Sequence, residues 1–240
     1  MNRFIFISLI SLFLAVPVWA GYTIDTGTTY GPYEANPGGE FTLMPGGGLE
    51  VYLNNYDPLA KGESIAFSDG TTTTATFQTF CVEATGGEYI LLNHQFIAAL
   101  NTNAVAGGTG NPLGPGDPIS VGTAYLYYQF AKGNLSGYNY TGGTSARLAD
   151  AAELQQAIWY LEGEIPDPGS NSFMTLVNGL FADPFADNNL NQYPVMALNL
   201  TNSGELYQDQ LILVPIPATI LLGLLGLGVG GWKLRRRKSV

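Results

Sequence analysis

Two apolar runs, one from Phe4 to Val16 and one ending at Trp232, take both ends of this chain out of any water-soluble core and confine the folding problem to what lies between. The first run follows the single positive charge of Arg3 and precedes Val18-Trp19-Ala20. A basic start, a short apolar stretch and compact residues before a cut make the three-part pattern of a secretory leader. The expected leader is 1–20, removed by signal peptidase between Ala20 and Gly21. A retained anchor is the other reading, against which the run is short for a membrane span of about 20 residues. The second run, over 216–232, is near the lower limit of the roughly 17–25 residues that cross a bilayer as a helix. Behind it stand Lys233, Arg235, Arg236, Arg237 and Lys238, five of the nine Lys and Arg residues, with none of the nineteen Asp and Glu. Such a basic stop stays on the cytoplasmic side of a membrane. A lipid-anchor signal of the GPI type ends on its apolar tail without a basic terminus, so that reading fits poorly.

The order of proline pair, glycine-rich apolar helix and arginine cluster, carried by Val214, Pro215, Ile216, Pro217 and Ala218 and the basic stop, resembles the PEP-CTERM sorting signals of Gram-negative bacteria. The string VPIPA is similar to the VPLPA variant of that signal and departs from the usual Pro-Glu-Pro. The resemblance implies an exosortase-type membrane peptidase as partner, transient anchoring by the C-terminal helix, and a final place at the cell surface, in the outer envelope or in an extracellular, biofilm or exopolysaccharide matrix. A plain single-pass anchor is the alternative.

Between the ends, residues 21–213 make one exported domain. It keeps all nineteen acids but only Lys61, Lys132 and Arg147 as cations, a formal charge of −16. Nucleic acid is excluded as a partner, because phosphate binding needs clustered Lys and Arg. Thr and Tyr suit strands, Gly and Asn suit turns, and enough apolar residues remain for a core.

Leu49, Val51 and Leu53 alternate with Glu50, Tyr52 and Asn54, which predicts a half-buried strand. Short strands are also expected at 64–67, 71–82, 195–200 and 205–213, and 90–100 reads as strand or short helix. Gly21 to Glu40 reads as an arm or an irregular first strand. Ser120 could cap a helix ending at Gly133, and Arg147 to Glu162 is the clearest helix, stopped by Gly163 and Pro166. A further short helix fits 172–181. The expected class is α+β: a strand-rich sandwich or barrel-like domain with an inserted helical part.

Exported proteins usually carry cysteines in pairs, yet Cys81 is the only one here. It lies in Phe80-Cys81-Val82-Glu83, and the best helix presents Leu154-Gln155-Gln156-Ala157-Ile158-Trp159. Leu148, Ala151, Gln155, Ile158 and Glu162 share one helical stripe, so Gln155 faces the core and Gln156 lies about 100° further round. A buried amide without partners costs on the order of 1–3 kcal/mol, so an inward glutamine needs a reason. These two strings resemble the signature pair of thioester domains in bacterial surface adhesins. The resemblance runs from about Thr71 to Gly163 and implies that Cys81 supplies the thiol and Gln155 the acyl group of an internal thioester, able to capture a partner's amine or hydroxyl. It implies self-catalysed bond formation rather than a turnover enzyme, and no cofactor.

The bland alternative is an inert core cysteine in a structural matrix protein of the same fold. A third reading is a glycan-binding module using the tyrosines from Tyr125 to Tyr140 to bind a matrix polysaccharide. His94, the only histidine, Glu83 and Tyr160 are weak candidates for a base. Asp183 to Asn189 offers oxygen ligands without EF-hand spacing, which leaves calcium open. Three Asn-x-Ser/Thr acceptor patterns begin at Asn134, Asn139 and Asn199.

Overall fold

The computed structural model describes residues 21–35, 38–84, 88–106, 116–190 and 192–215. The expected leader up to Ala20, the sorting residues Ile216, Pro217 and Ala218, the apolar run and the basic stop lie outside them. Among the described residues no helix is long and apolar enough to cross a membrane.

Among the described residues the architecture is strand-rich, with a curled six-stranded antiparallel half-barrel sheet and three α-helices. Its strands are β1 (Tyr22–Asp25), β2 (Phe41–Gly46), β3 (Phe77–Thr79), β4 (Gln95–Asn101), β5 (Val195–Asn202) and β6 (Glu205–Leu213). They lie in the order β6-β5-β4-β1-β2-β3. The segment read as an arm or an irregular first strand supplies a first strand, and a central one: Ile24 stands between Pro45 of β2 and Phe96 of β4. Only four residues long, β1 gives too little alternation to show its central place in the sheet without its neighbours.

Between β4 and β5 come α1 (Val121–Ala131), α2 (Thr144–Leu161) and α3 (Ser172–Leu180). Ser120 caps α1 by accepting from Thr123 N at 3.1 Å, and Asn171 caps α3 by accepting from Phe173 N and Met174 N at 3.0 Å each. Phe80, Phe96, Tyr127, Phe130 and Phe173 are among the fully buried side chains that join helices to sheet.

Residues Leu49–Asn55 form a 3-10 helix rather than the expected strand. Gly47 and Gly48 take positive φ and turn the chain there. Leu49, Tyr52, Leu53 and Tyr56 then face inward at helical spacing, leaving Val51 62% exposed. The apolar residues satisfied two periods at once, and packing selected the helical one. The run 71–82 is likewise broken, pairing only over Thr72–Thr73 and Phe77–Thr79 before its last residues cross to β6.

Candidate functional site

The sheet curls until its two outer strands meet, and Cys81 sits in the seam. Leu211 N donates to Phe80 O at 3.1 Å and Val82 N to Asp209 O at 2.9 Å. The Thr79 hydroxyl adds a bond to Leu211 O at 2.6 Å. This pattern makes Cys81 and Gln210 a non-hydrogen-bonded antiparallel pair, in which side chains lie close and the N–H and C=O of each residue point away from the partner strand.

What Cys81 turns outward, Gln155 fills. Cys81 N donates to Gln155 Oε1 at 3.1 Å, and Gln155 Nε2 donates to Cys81 O at 2.8 Å. The carboxamide thus stands in for a further strand. Both residues are 1% exposed, whereas Gln156 faces solvent. Two features hold Gln155 there. Arg147, two helical turns earlier, reaches Glu40 beside β2 through a two-pronged ion pair at 2.7 and 2.8 Å. The hairpin of Glu34–Ala35 and Gly38–Gly39 lies against the helix so closely that a Cβ on Gly38 would stand 2.6 Å from Gln155 Cγ and 2.8 Å from the Trp159 ring. Trp159 is itself buried, and its Nε1 has no hydrogen-bond partner among the described residues.

On its side-chain face the thiol meets two glutamines that sequence reasoning missed. Gln210 Nε2 donates to Cys81 Sγ at 3.3 Å, and Sγ lies 3.7 Å from Gln208 Oε1, its hydrogen-bond acceptor. The signal was present as three consecutive polar residues interrupting an otherwise apolar closing strand, Tyr207-Gln208-Asp209-Gln210-Leu211. Burial pushes the Cys81 thiol up to about 12, and the negative charges of Glu83 and Glu34 push the same way while Gln210 opposes them.

A second buried polar group lies along the seam. Asp209 Oδ2 accepts from Val105 N, from Ala106 N at 3.2 Å and from Asn199 Nδ2 at 2.8 Å, while Glu83 Oε2 accepts from Asp209 N at 2.8 Å. Burial raises the Asp209 carboxyl above its ordinary value, and these donors work against that rise. Burial, then the charge of Asp209, raises Glu83 to about 10, so Glu83 stays protonated at neutral pH.

The remaining candidates fall elsewhere. His94 is exposed, with a ring nitrogen 2.7 Å from Leu92 O and a ring contact to Phe96. Tyr160 packs edge-on against Phe185. In the stretch 183–189, Asp183 accepts from Phe185 N and Asn188 donates to Tyr193 O, as in an ordinary turn. Among the described residues no three His, Cys, Asp or Glu side chains cluster closely enough to hold a metal ion. Tyr127 and Tyr138 are core residues. Of the sorting motif, Val214 is buried and donates its N–H to Pro194 O at 2.8 Å, and Pro215 is exposed. No protein-family model matches the chain, and no curated protein or solved structure matches it.

Proposed function

We propose that this is an exported cell-surface or matrix protein, sorted through its C-terminal signal, whose domain attaches covalently to a partner through a Cys81–Gln155 thioester. The observation that carries the reading is the seating of the Gln155 carboxamide across the main chain of Cys81. In the reaction the Cys81 sulfur bonds to Gln155 Cδ, the Cδ–Nε2 bond breaks, and the thiol proton leaves on the departing nitrogen as ammonia. The Cys81 N–H already rests 3.1 Å from Gln155 Oε1, where negative charge develops in the tetrahedral intermediate. The carbonyl of Cys81 holds Nε2 at 2.8 Å and so fixes which end of the amide leaves. An incoming amine or hydroxyl would then take the acyl group and free the thiol.

A second reading draws on the same two bonds. They give each polar atom of the buried amide a partner, which suffices to explain an inward glutamine in a non-catalytic envelope or matrix protein. Intact mass separates the two. The mature protein should be about 17 Da lighter than its sequence, the mass of ammonia lost in acyl transfer to sulfur. That deficit should vanish in Cys81→Ala and after treatment with methylamine. A full mass, with one thiol open to alkylation in denaturant, refutes the thioester and leaves the clamp.

A further inference from the structure

The side-chain face of Cys81 is more specific than packing requires. Gln210 is fully buried, yet its Oε1 has no partner among the described residues, a costly arrangement for an amide. Its orientation is nonetheless determined. Nε2 also donates to Gln208 O at 3.3 Å, and turning the amide over would set two carbonyl oxygens against each other. Gln208 is oriented in the same way, because its Nε2 donates to Glu83 O at 3.0 Å and leaves Oε1 for the thiol. The sulfur therefore sits between one acceptor, which suits S–H, and one donor, which suits S⁻.

We infer that Gln210 acts directly on the reacting sulfur, its Nε2–H stabilising the Cys81 thiolate, while Gln208 holds the thiol proton before ionisation. Gln210 is then a catalytic residue of the proposed acyl transfer, and Gln208 a brake on it. The inference takes its purpose from the thioester reading, but its measurement does not depend on that bond forming. Charges acting on the thiol from packed elements are those of Glu34 in the hairpin and Glu83 on its own segment, and the Tyr30 hydroxyl also faces it electrostatically. None of them changes in the variants below.

The test uses the mature protein, opened with methylamine wherever a mass deficit is found, and follows iodoacetamide alkylation of Cys81 against pH. Gln210→Met keeps the length of the side chain and removes the donor; the alkylation midpoint should rise by roughly one pH unit. Gln208→Met removes the acceptor, and the midpoint should stay or fall. In the unopened protein, Gln210→Met should also slow appearance of the mass deficit about tenfold, as a one-unit change in ionisation implies. Movement of both midpoints upward together would mean that the two glutamines only pack, and would overturn the inference. So would an unchanged midpoint in Gln210→Met. If Gln210→Met does not fold, Gln210→Glu keeps the shape and replaces the donor by a carboxyl group. Its midpoint should also rise, and an unchanged one overturns the inference. A wild-type protein without the mass deficit defeats the thioester reading alone, since the midpoints still decide the role of Gln210.

Discussion

Helix α2 anchors itself to the rest of the molecule by an ionisable side chain near each end, and the two anchors are built on opposite principles. Near its start, Arg147 is buried against a counter-ion: Glu40 takes two of its bonds, Leu59 O a third at 2.8 Å, and the Tyr33 ring lies 4.0 Å from the guanidinium carbon. Glu40 holds it more firmly protonated than an ordinary arginine although burial works against that. Just past the end, Glu162 is buried and makes no ion pair among the described residues, accepting instead from Ser120 N at 3.1 Å at the start of α1. Burial raises its carboxyl to about 7, and hydrogen bonding at Ser120 keeps it from rising further. Both charges oppose the helix dipole, which favours acids at the start and bases at the end. Neither serves the helix itself. The charged anchor fixes where α2 sits at any ordinary pH, whereas the acid anchor is conditional on its proton. Gln155, midway, depends on both.

Removing the counter-ion should break the comparison most severely. Arg147→Ala leaves Glu40 buried and unpaired, which costs about 3–5 kcal/mol and should appear as a large fall in the urea midpoint. Arg147→Lys should recover only part of it, because an ammonium cannot make the two-pronged contact. A loss below about 1 kcal/mol for the alanine variant would mean that water reaches Glu40, and that the pair does not place the helix.

The acid anchor gives the next largest effect, and its sign can be worked out. The folded protein holds the Glu162 proton up to about pH 7, whereas the unfolded chain releases it near the ordinary 4.5. The native state therefore binds more protons in that window, and stability falls as pH rises through it. The loss over the window is about 3 kcal/mol, from 1.36 kcal/mol per pH unit. Glu83, also raised, extends the decline toward about pH 10. Glu162→Gln keeps an acceptor for Ser120 N and has no proton to lose, so its decline between pH 4.5 and 7.5 should be shallower than that of the wild type by about 3 kcal/mol in all, the slope that remains being that of Glu83. An identical slope in the variant would assign the pH dependence to other acids.

These anchors mark where sequence reasoning stops. The helix around Arg147 to Glu162, the cap at Ser120 and the two closing strands were legible, because local propensity and tertiary packing agree there. So was the inward stripe of α2, since helical periodicity assigns its face without knowledge of the partner. The pairing of Arg147 with Glu40 spans residues that no local period connects, and the partners of Gln155 could be named only by resemblance. Gln208 and Gln210 escaped because inward-facing polar residues in a strand acquire meaning only when the opposite edge of the sheet is known. The curling that brings β6 to Cys81 is a property of the whole sheet. The misread segment at 49–55 has the same origin: a few apolar residues fit two periods, and only burial chose.

The smallest effect probes the site between the anchors. Gly38 carries no strain that requires glycine; what it lacks is room, since its Cβ would meet Gln155 Cγ at 2.6 Å and the Trp159 ring at 2.8 and 3.2 Å. Real structures relieve such contacts by moving the softer neighbour. Here the hairpin pairs over only Glu34↔Gly39 and Ala35↔Gly38, whereas α2 is pinned at both ends. If the anchors hold the helix as firmly as their chemistry suggests, Gly38→Ala should lift the hairpin and leave Gln155 on Cys81. The cost should then be at the lower end of the 1–3 kcal/mol typical of overpacking, with faster alkylation of Cys81 as its cover loosens. If α2 yields instead, the bonds between Gln155 and Cys81 lengthen and the mass deficit should form more slowly. Combining Gly38→Ala with Glu162→Gln decides the matter. Independent effects that add would place the strain in the hairpin, and a coupling of 0.5 kcal/mol or more would place it in the helix that both residues touch.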